Sequence, residues 1–298
     1  MKRIALLLPI LSGTCWGSAG VFVRVLYEAG FDNITITFSR LVITALLLML
    51  TLLVYDRGLF RIRAGDLPFL AICGISGYVF MNICYNVAIN LLSMSLASIL
   101  LCTAPVFVII LGSILFHEKI TRIRVLCMLG ALVGCFLLSG ILDTGGLKWS
   151  VYGLLMGVGA SLSNAAYVLS SNELADKRKV HPLTVTFYTC SLAVLLMIPL
   201  ADHHMILQFV ADRPGTGVMF MVAHAVVVSL LPNLSYTVSM KYADAGVVSI
   251  LASGAEPTSA LLFGLFLYAE IPTVPGIIGM IIVVVSIIVL TRSDSDCA

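Results

Sequence analysis

Glu256 and Pro257 stand ten residues into the apolar run 247–268. A charge at such a depth costs roughly 2.5–3.5 kcal/mol on insertion scales, so an intramembrane acid asks for a function. It can act as counter-ion to a cationic solute or as a proton carrier. Pro257 removes a backbone donor at the same depth and can leave a carbonyl free. Asn82-x-x-Tyr85 recurs as Asn233-x-x-Tyr236. That spacing puts an amide and a phenol on one helical face, where both can meet a polar solute. Asn164 is a further amide deep in an apolar run. Trp16, Tyr78 and Tyr167 could wall a site and offer cation–π contact to an ammonium group. His224 is suited to proton relay.

Each of these has a plainer reading. An amide can bond a neighbouring helix, and an aromatic can simply pack. His224 can be a helix-packing imidazole. For Arg40, snorkelling or a structural ion pair is favoured over a solute contact. Glu118 and Glu270 end equivalent runs and read as structural charges that tie helix ends. Pro105 and Pro257 read as hinge positions. Eight cysteines occur without a Cys-x-x-Cys pair, so neither a metal site nor a disulfide framework is expected, and no cofactor is implied. His203-His204 reads as a solvated loop pair. The chain lacks a zinc-type His pair, a Gly-x-Ser-x-Gly elbow and a phosphate loop, which argues against a membrane enzyme.

The elements that must carry these residues are membrane helices. The chain is 60% hydrophobic and 11% charged, with mean hydropathy +1.10. Soluble domains carry about 25% charged residues. Ten apolar spans are expected, at 4–26, 34–55, 67–89, 95–116, 123–142, 151–171, 183–200, 217–240, 247–268 and 274–291. Each is near the ~20 residues a helix needs to cross the hydrocarbon layer. Period-2 alternation is absent, so helices rather than a barrel must satisfy the backbone. The run after Lys2-Arg3 is too long for a typical signal peptide and is read as the first span.

The second part of the sequence repeats the first. Beyond the Asn/Tyr pair, Ser98-Ile99-Leu100 returns as Ser249-Ile250-Leu251. Pro105, Gly112, Phe116 and Glu118 return as Pro257, Gly264, Tyr268 and Glu270. Glu256 breaks the repeat, because its counterpart is Ala104. The chain is read as one membrane domain, 1–298, of two five-helix repeats, 1–142 and 151–291. An odd number of spans per repeat requires that the two be inverted. With the N-terminus cytoplasmic, thirteen of the seventeen basic residues fall inside, including Arg57, Arg61, Arg63, Lys177, Arg178 and Lys179. Both termini are therefore expected in the cytoplasm, with the protein in a cytoplasmic (inner) membrane. Gly130-x-x-x-Gly134 and Gly153-x-x-x-Gly157 allow close helix approach. A monomer is expected, with a weak homodimer the lesser reading.

The chain resembles the drug/metabolite transporter superfamily, specifically its EamA-type ten-helix members. The marks are Trp16-Gly17-Ser18, Arg40, Tyr85 with Pro105 and Glu118, and Tyr236 with Glu256-Pro257 and Glu270. Ser163-Asn164 departs from the pattern, since a Trp is frequent there. The resemblance implies an all-α bundle around a central cavity lined by spans one, three, four, six, eight and nine, and it implies export. The expected function is alternating access for a small amphipathic metabolite, an amino acid or related amine, with a coupling proton or ion and no nucleic-acid partner. Glu256 would meet the ammonium, and Asn82 and Asn233 the polar remainder. The alternatives are uptake of a quaternary amine such as choline, or a channel or scaffold.

Overall fold

The computed structural model describes residues 6–92, 94–116, 120–138, 150–269 and 273–296. Among them every regular element is a helix. Helix α1 covers Leu7–Glu28, α2 Asn33–Tyr55 and α3 Ala64–Leu91. They are followed by α4 (Met94–Cys102), α5 (Ala104–Phe116) and α6 (Arg122–Leu138). Then come α7 (Val151–Lys177), α8 (Pro182–Leu200) and the short α9 (His203–Asp212). The last are α10 (Thr216–Ser239), α11 (Ala245–Tyr268) and α12 (Val274–Asp296). Among the described residues seven helices are long and apolar enough to cross a bilayer: α1, α2, α3, α7, α8, α10 and α11. They coincide with seven of the ten expected spans. The expected fourth span is divided between α4 and α5, and the fifth and tenth correspond to α6 and α12, whose apolar stretches are shorter. Glu118 and Glu270 lie outside the described residues, as does most of the junction at 143–150.

The helices begin where the local chemistry requires. Asp32 caps α2, accepting from the backbone N–H groups of Ile34 and Thr35, both at 3.2 Å. Gly30 before it has φ +95°, a conformation that side chains disfavour. Ser150 caps α7, and Asp202 caps α9. Pro182 opens α8, where its missing N–H costs nothing. The outward faces stay apolar, with Leu46, Leu50, Leu126, Phe266 and Val285 exposed, which suits a lipid surround.

Small residues set the closest approaches. A Cβ on Gly13 would lie 2.3 Å from the Ala252 carbonyl oxygen, so α1 and α11 meet backbone to backbone. Gly134 of α6 and Gly279 of α12 stand in the same relation. Gly77 of α3 receives the Tyr167 ring of α7, and Gly157 of α7 receives Leu100 of α4. The glycine pairs noted in the sequence thus serve contacts within the chain. Helix α2 packs on α8, and α1 also packs on α10. Each of these pairs joins a helix before residue 140 to one after residue 150.

At one end of the bundle Arg178 pairs with buried Asp66 at 3.0 Å and with Glu173 at 3.5 Å. The same residue donates to the Gly65 carbonyl at 2.8 Å. Thr184 and Tyr188 donate to the carbonyls of Leu59 and Phe60. Arg124 and Asp244 form a further ion pair. At the opposite end Thr35 accepts from the Asp202 backbone N–H at 2.9 Å, and Phe31 meets Phe209 edge to face.

Candidate functional site

A cavity of about 170 Å³ opens between α1, α2, α3, α4, α7, α10 and α11. A water needs ~10–15 Å³ on this measure, so the space is on the order of ten waters, enough for a small solute. Its wall combines Trp16 and Ala19 of α1, Arg40 of α2, Gly77, Tyr78 and Met81 of α3, and Leu101 of α4. Asn164 and Tyr167 of α7, Asn233 and Tyr236 of α10, and Ser249, Ala252, Ser253 and Glu256 of α11 complete it. Two charged groups, two amides and four aromatic rings therefore share one wall. A larger cavity of about 380 Å³ lies between α2, α9 and α10, but its lining is almost wholly apolar and offers little to orient a polar solute.

The aromatic residues form a continuous row. Trp16 and Tyr236 have ring centroids 5.3 Å apart, and Tyr236 stacks on Tyr167 at 6.3 Å. Tyr167 meets Tyr78 edge to face at 6.0 Å. Glu256 lies eleven residues after Ala245, so ~16 Å along an α11 that is ~36 Å long. It is thus near the middle of that helix. Pro257 leaves α11 continuous. The carbonyl that Pro257 cannot bond is that of Ser253, and the Cys135 thiol of α6 points to it at 4.0 Å. Ser259 donates to the Ala255 and Glu256 carbonyls at 2.8 and 3.0 Å. Pro105 sits differently, because the chain turns at Thr103 and α5 starts at Ala104. There Thr103 donates to the Leu100 carbonyl at 2.6 Å, and Ser161 of α7 also donates to that oxygen.

The repeated Asn-x-x-Tyr pairs part company. Asn233 and Tyr236 reach the cavity wall, but Asn82 and Tyr85 are not among its lining residues. Asn82 donates to the Tyr78 carbonyl at 2.6 Å and accepts from Thr37 of α2 at 3.4 Å. Tyr85 packs among Ala88, Leu92 and Ala97. His224 is fully buried outside the wall, stacked on Phe22 at 5.3 Å, and neither ring nitrogen has a hydrogen-bond partner among the described residues. Arg40, read from the sequence as a snorkelling or structural charge, lines the cavity wall.

One local feature had no signal in the sequence. Ile75–Phe80 of α3 and Val226–Leu230 of α10 are π-helical turns. They occupy the same place in the repeat, ending just before Asn82 and Asn233. Such turns loosen the backbone ladder and recur at functional sites. Here the following amides brace them: Asn82 bonds the Tyr78 carbonyl, and Asn233 donates to the Ser229 hydroxyl at 3.3 Å. The first of these turns delivers Tyr78 to the cavity.

Comparison with known proteins places this architecture. The model of the EamA-like transporter family matches residues 3–140 and again 151–292. An uncharacterized transporter of Archaeoglobus fulgidus is 28% identical, over 95% of this chain and 94% of its own. A pseudopaline exporter of Pseudomonas aeruginosa is 27% identical over 98% of both chains. A probable terminal-alkyne amino-acid exporter of Streptantibioticus cattleyicolor is 23% identical over 95% of this chain and 92% of its own. A solved crystal structure shares the fold with a TM-score of 0.78 and 17% identity, covering 100% of this chain and 99% of the other. The chain belongs to the EamA-like transporter family, and is a multi-pass membrane protein that moves small solutes across the bilayer by secondary transport.

Proposed function

We propose that this carrier exports a small amphipathic metabolite bearing an amine, an amino acid or a related compound. The observation that carries the reading is Glu256, a carboxyl group near the middle of α11 on a cavity wall of aromatic rings and amides. An ammonium group would meet Glu256 and the faces of Trp16 and Tyr236. Asn164, Asn233, Tyr78 and Tyr167 would bond or pack against the remainder, while Asn82 and Tyr85 would act behind the wall. Glu256 would also be the coupling proton carrier, with His224 as a second candidate. Two relatives named as exporters support the direction.

Ten spans in two inverted repeats, 1–142 and 151–291, are the topology this reading requires. The loops assigned to the cytoplasm support it, since Arg178 meets Asp66 across two of them and Arg124 meets Asp244 across two others. Both termini would then be cytoplasmic, and Pro105 and Pro257 would serve as hinges. The test is saturable flux of labelled amino acids and amines in proteoliposomes. If no solute crosses faster than through empty liposomes, or if flux never saturates, the carrier reading fails. If Glu256→Gln leaves flux intact at every pH, the counter-ion role fails. The aromatic row also suits a quaternary amine, and faster movement of choline than of primary amines would favour that reading.

A further inference from the structure

Arg40 and Glu256 line the same cavity from α2 and α11. Among the described residues neither closes an ion pair, and the buried Nε of Arg40 has no hydrogen-bond partner. Of the residues lining the cavity, Glu256 is the one carboxylic acid. A structural pair would join directly, because a charge inside the bilayer is costly and a partner offsets that cost. Here the two opposite charges stand on one polar wall without meeting. The guanidinium has five donors in a rigid fork that matches a carboxylate bidentately. The acid, beside Trp16 and Tyr236, matches an ammonium.

Together they make a receptor with two poles. We infer that the solute is a zwitterion of the α-amino-acid type, its carboxylate held by Arg40 and its ammonium by Glu256. This rests on the cavity being the transport site. It goes beyond amine recognition by making Arg40 the residue that separates amino acids from the corresponding amines.

The experiment uses the purified full-length chain with the protein L-amino acids, each beside the amine that lacks its carboxylate and the acid that lacks its amine. Binding is read by thermal stabilisation, and movement by flux in proteoliposomes. In the wild type at least one amino acid should bind at least tenfold more tightly than its amine and its deaminated acid. This comparison needs no variant. Arg40→Gln should lower amino-acid affinity at least tenfold, to the level of the amine or below, without lowering the amine's own affinity. Arg40→Lys, which keeps the charge and loses the fork, should fall between. Should each amine bind as tightly as its amino acid in the wild type, the inference about Arg40 is overturned while the amine reading stands. Should neither class bind or cross, both readings fail.

Discussion

Replacing Gly17 by Ala probes the contact that holds α1 against the acid-bearing stretch of α11. The added methyl would lie 2.1 Å from Ser259 Oγ, 2.4 Å from the Glu256 carbonyl oxygen and 2.9 Å from the Ala260 nitrogen. Two of these are backbone atoms and cannot swing aside. Ordinary contact distances are ~3.5–4.0 Å, so the helices must separate locally by about 1 Å. Overpacking of this kind costs ~1–3 kcal/mol. The shift falls on the Trp16 and Glu256 walls together, so transport should fall along with stability. Gly20, three residues further on, has no atom within 4 Å of its would-be Cβ. Gly20→Ala should be neutral or gain up to ~1 kcal/mol from helix propensity. The assay is thermal unfolding of both variants in one detergent, with initial flux in liposomes. Equal melting temperatures for the two variants would refute the claim that glycine sets the α1–α11 distance.

Other perturbations have defined outcomes. Arg178→Met should cost about 2–3 kcal/mol, below the full range for a broken buried pair because Arg178 is one-third exposed. Adding Asp66→Asn should recover part of that loss, and denaturant titration of the single and double variants measures it. His181 accepts the Leu183 N–H at 3.3 Å as the cap of α8, and burial, then Lys241, lowers its pKa against the opposing pull of Asp56. The folded state therefore favours the neutral ring, so this contribution is whole above ~6.5 and is lost as pH falls through the lowered folded value. Melting curves from pH 8 to 5 should show a fall in the wild type that His181→Ser, which keeps a cap without titrating, lacks. His224→Phe keeps the stack on Phe22 and removes two unbonded ring nitrogens, so stability should rise by about 1 kcal/mol. A clear fall in melting temperature would instead mean that the imidazole is bonded in the membrane.

Composition and run length were enough to find the seven long apolar helices, because lipid tolerates long apolar stretches only as helices, but not the short α9, whose His203 and His204 read as loop residues in the sequence. They could not foresee the division at Thr103, since Pro105 and Pro257 look alike as residues. The difference is made by neighbours: the Ser161 hydroxyl at the first site, the Cys135 thiol at the second. Asn82 and Asn233 match in sequence and differ in surroundings, because Thr37 of α2 captures the first amide. The repeated motif goes with a shared backbone form, two π turns that the sequence did not signal, and not with shared exposure to the cavity. Trp16, Tyr167 and Glu256 share a wall in the structure because each interrupts an apolar run at mid-depth, which was readable. The inward placement of Arg40 on the cavity wall was not legible, because its distance from the start of α2 is compatible with snorkelling or a structural pair.

The close helix contacts bear on how this protein can move. α1 is seated on α11, α3 on α7, and α6 on α12, and in every case one partner comes from each copy of the repeat. The duplicated units of the sequence are therefore not its mechanical units. If these contacts persist during transport, opening the cavity to one side and then the other would move composite blocks past each other, each block drawn from both copies. The sequence boundary between the copies falls near residue 145. A cut at that junction, with the two fragments expressed together, should then leave the blocks intact, whereas separate expression would deprive every block of half its members.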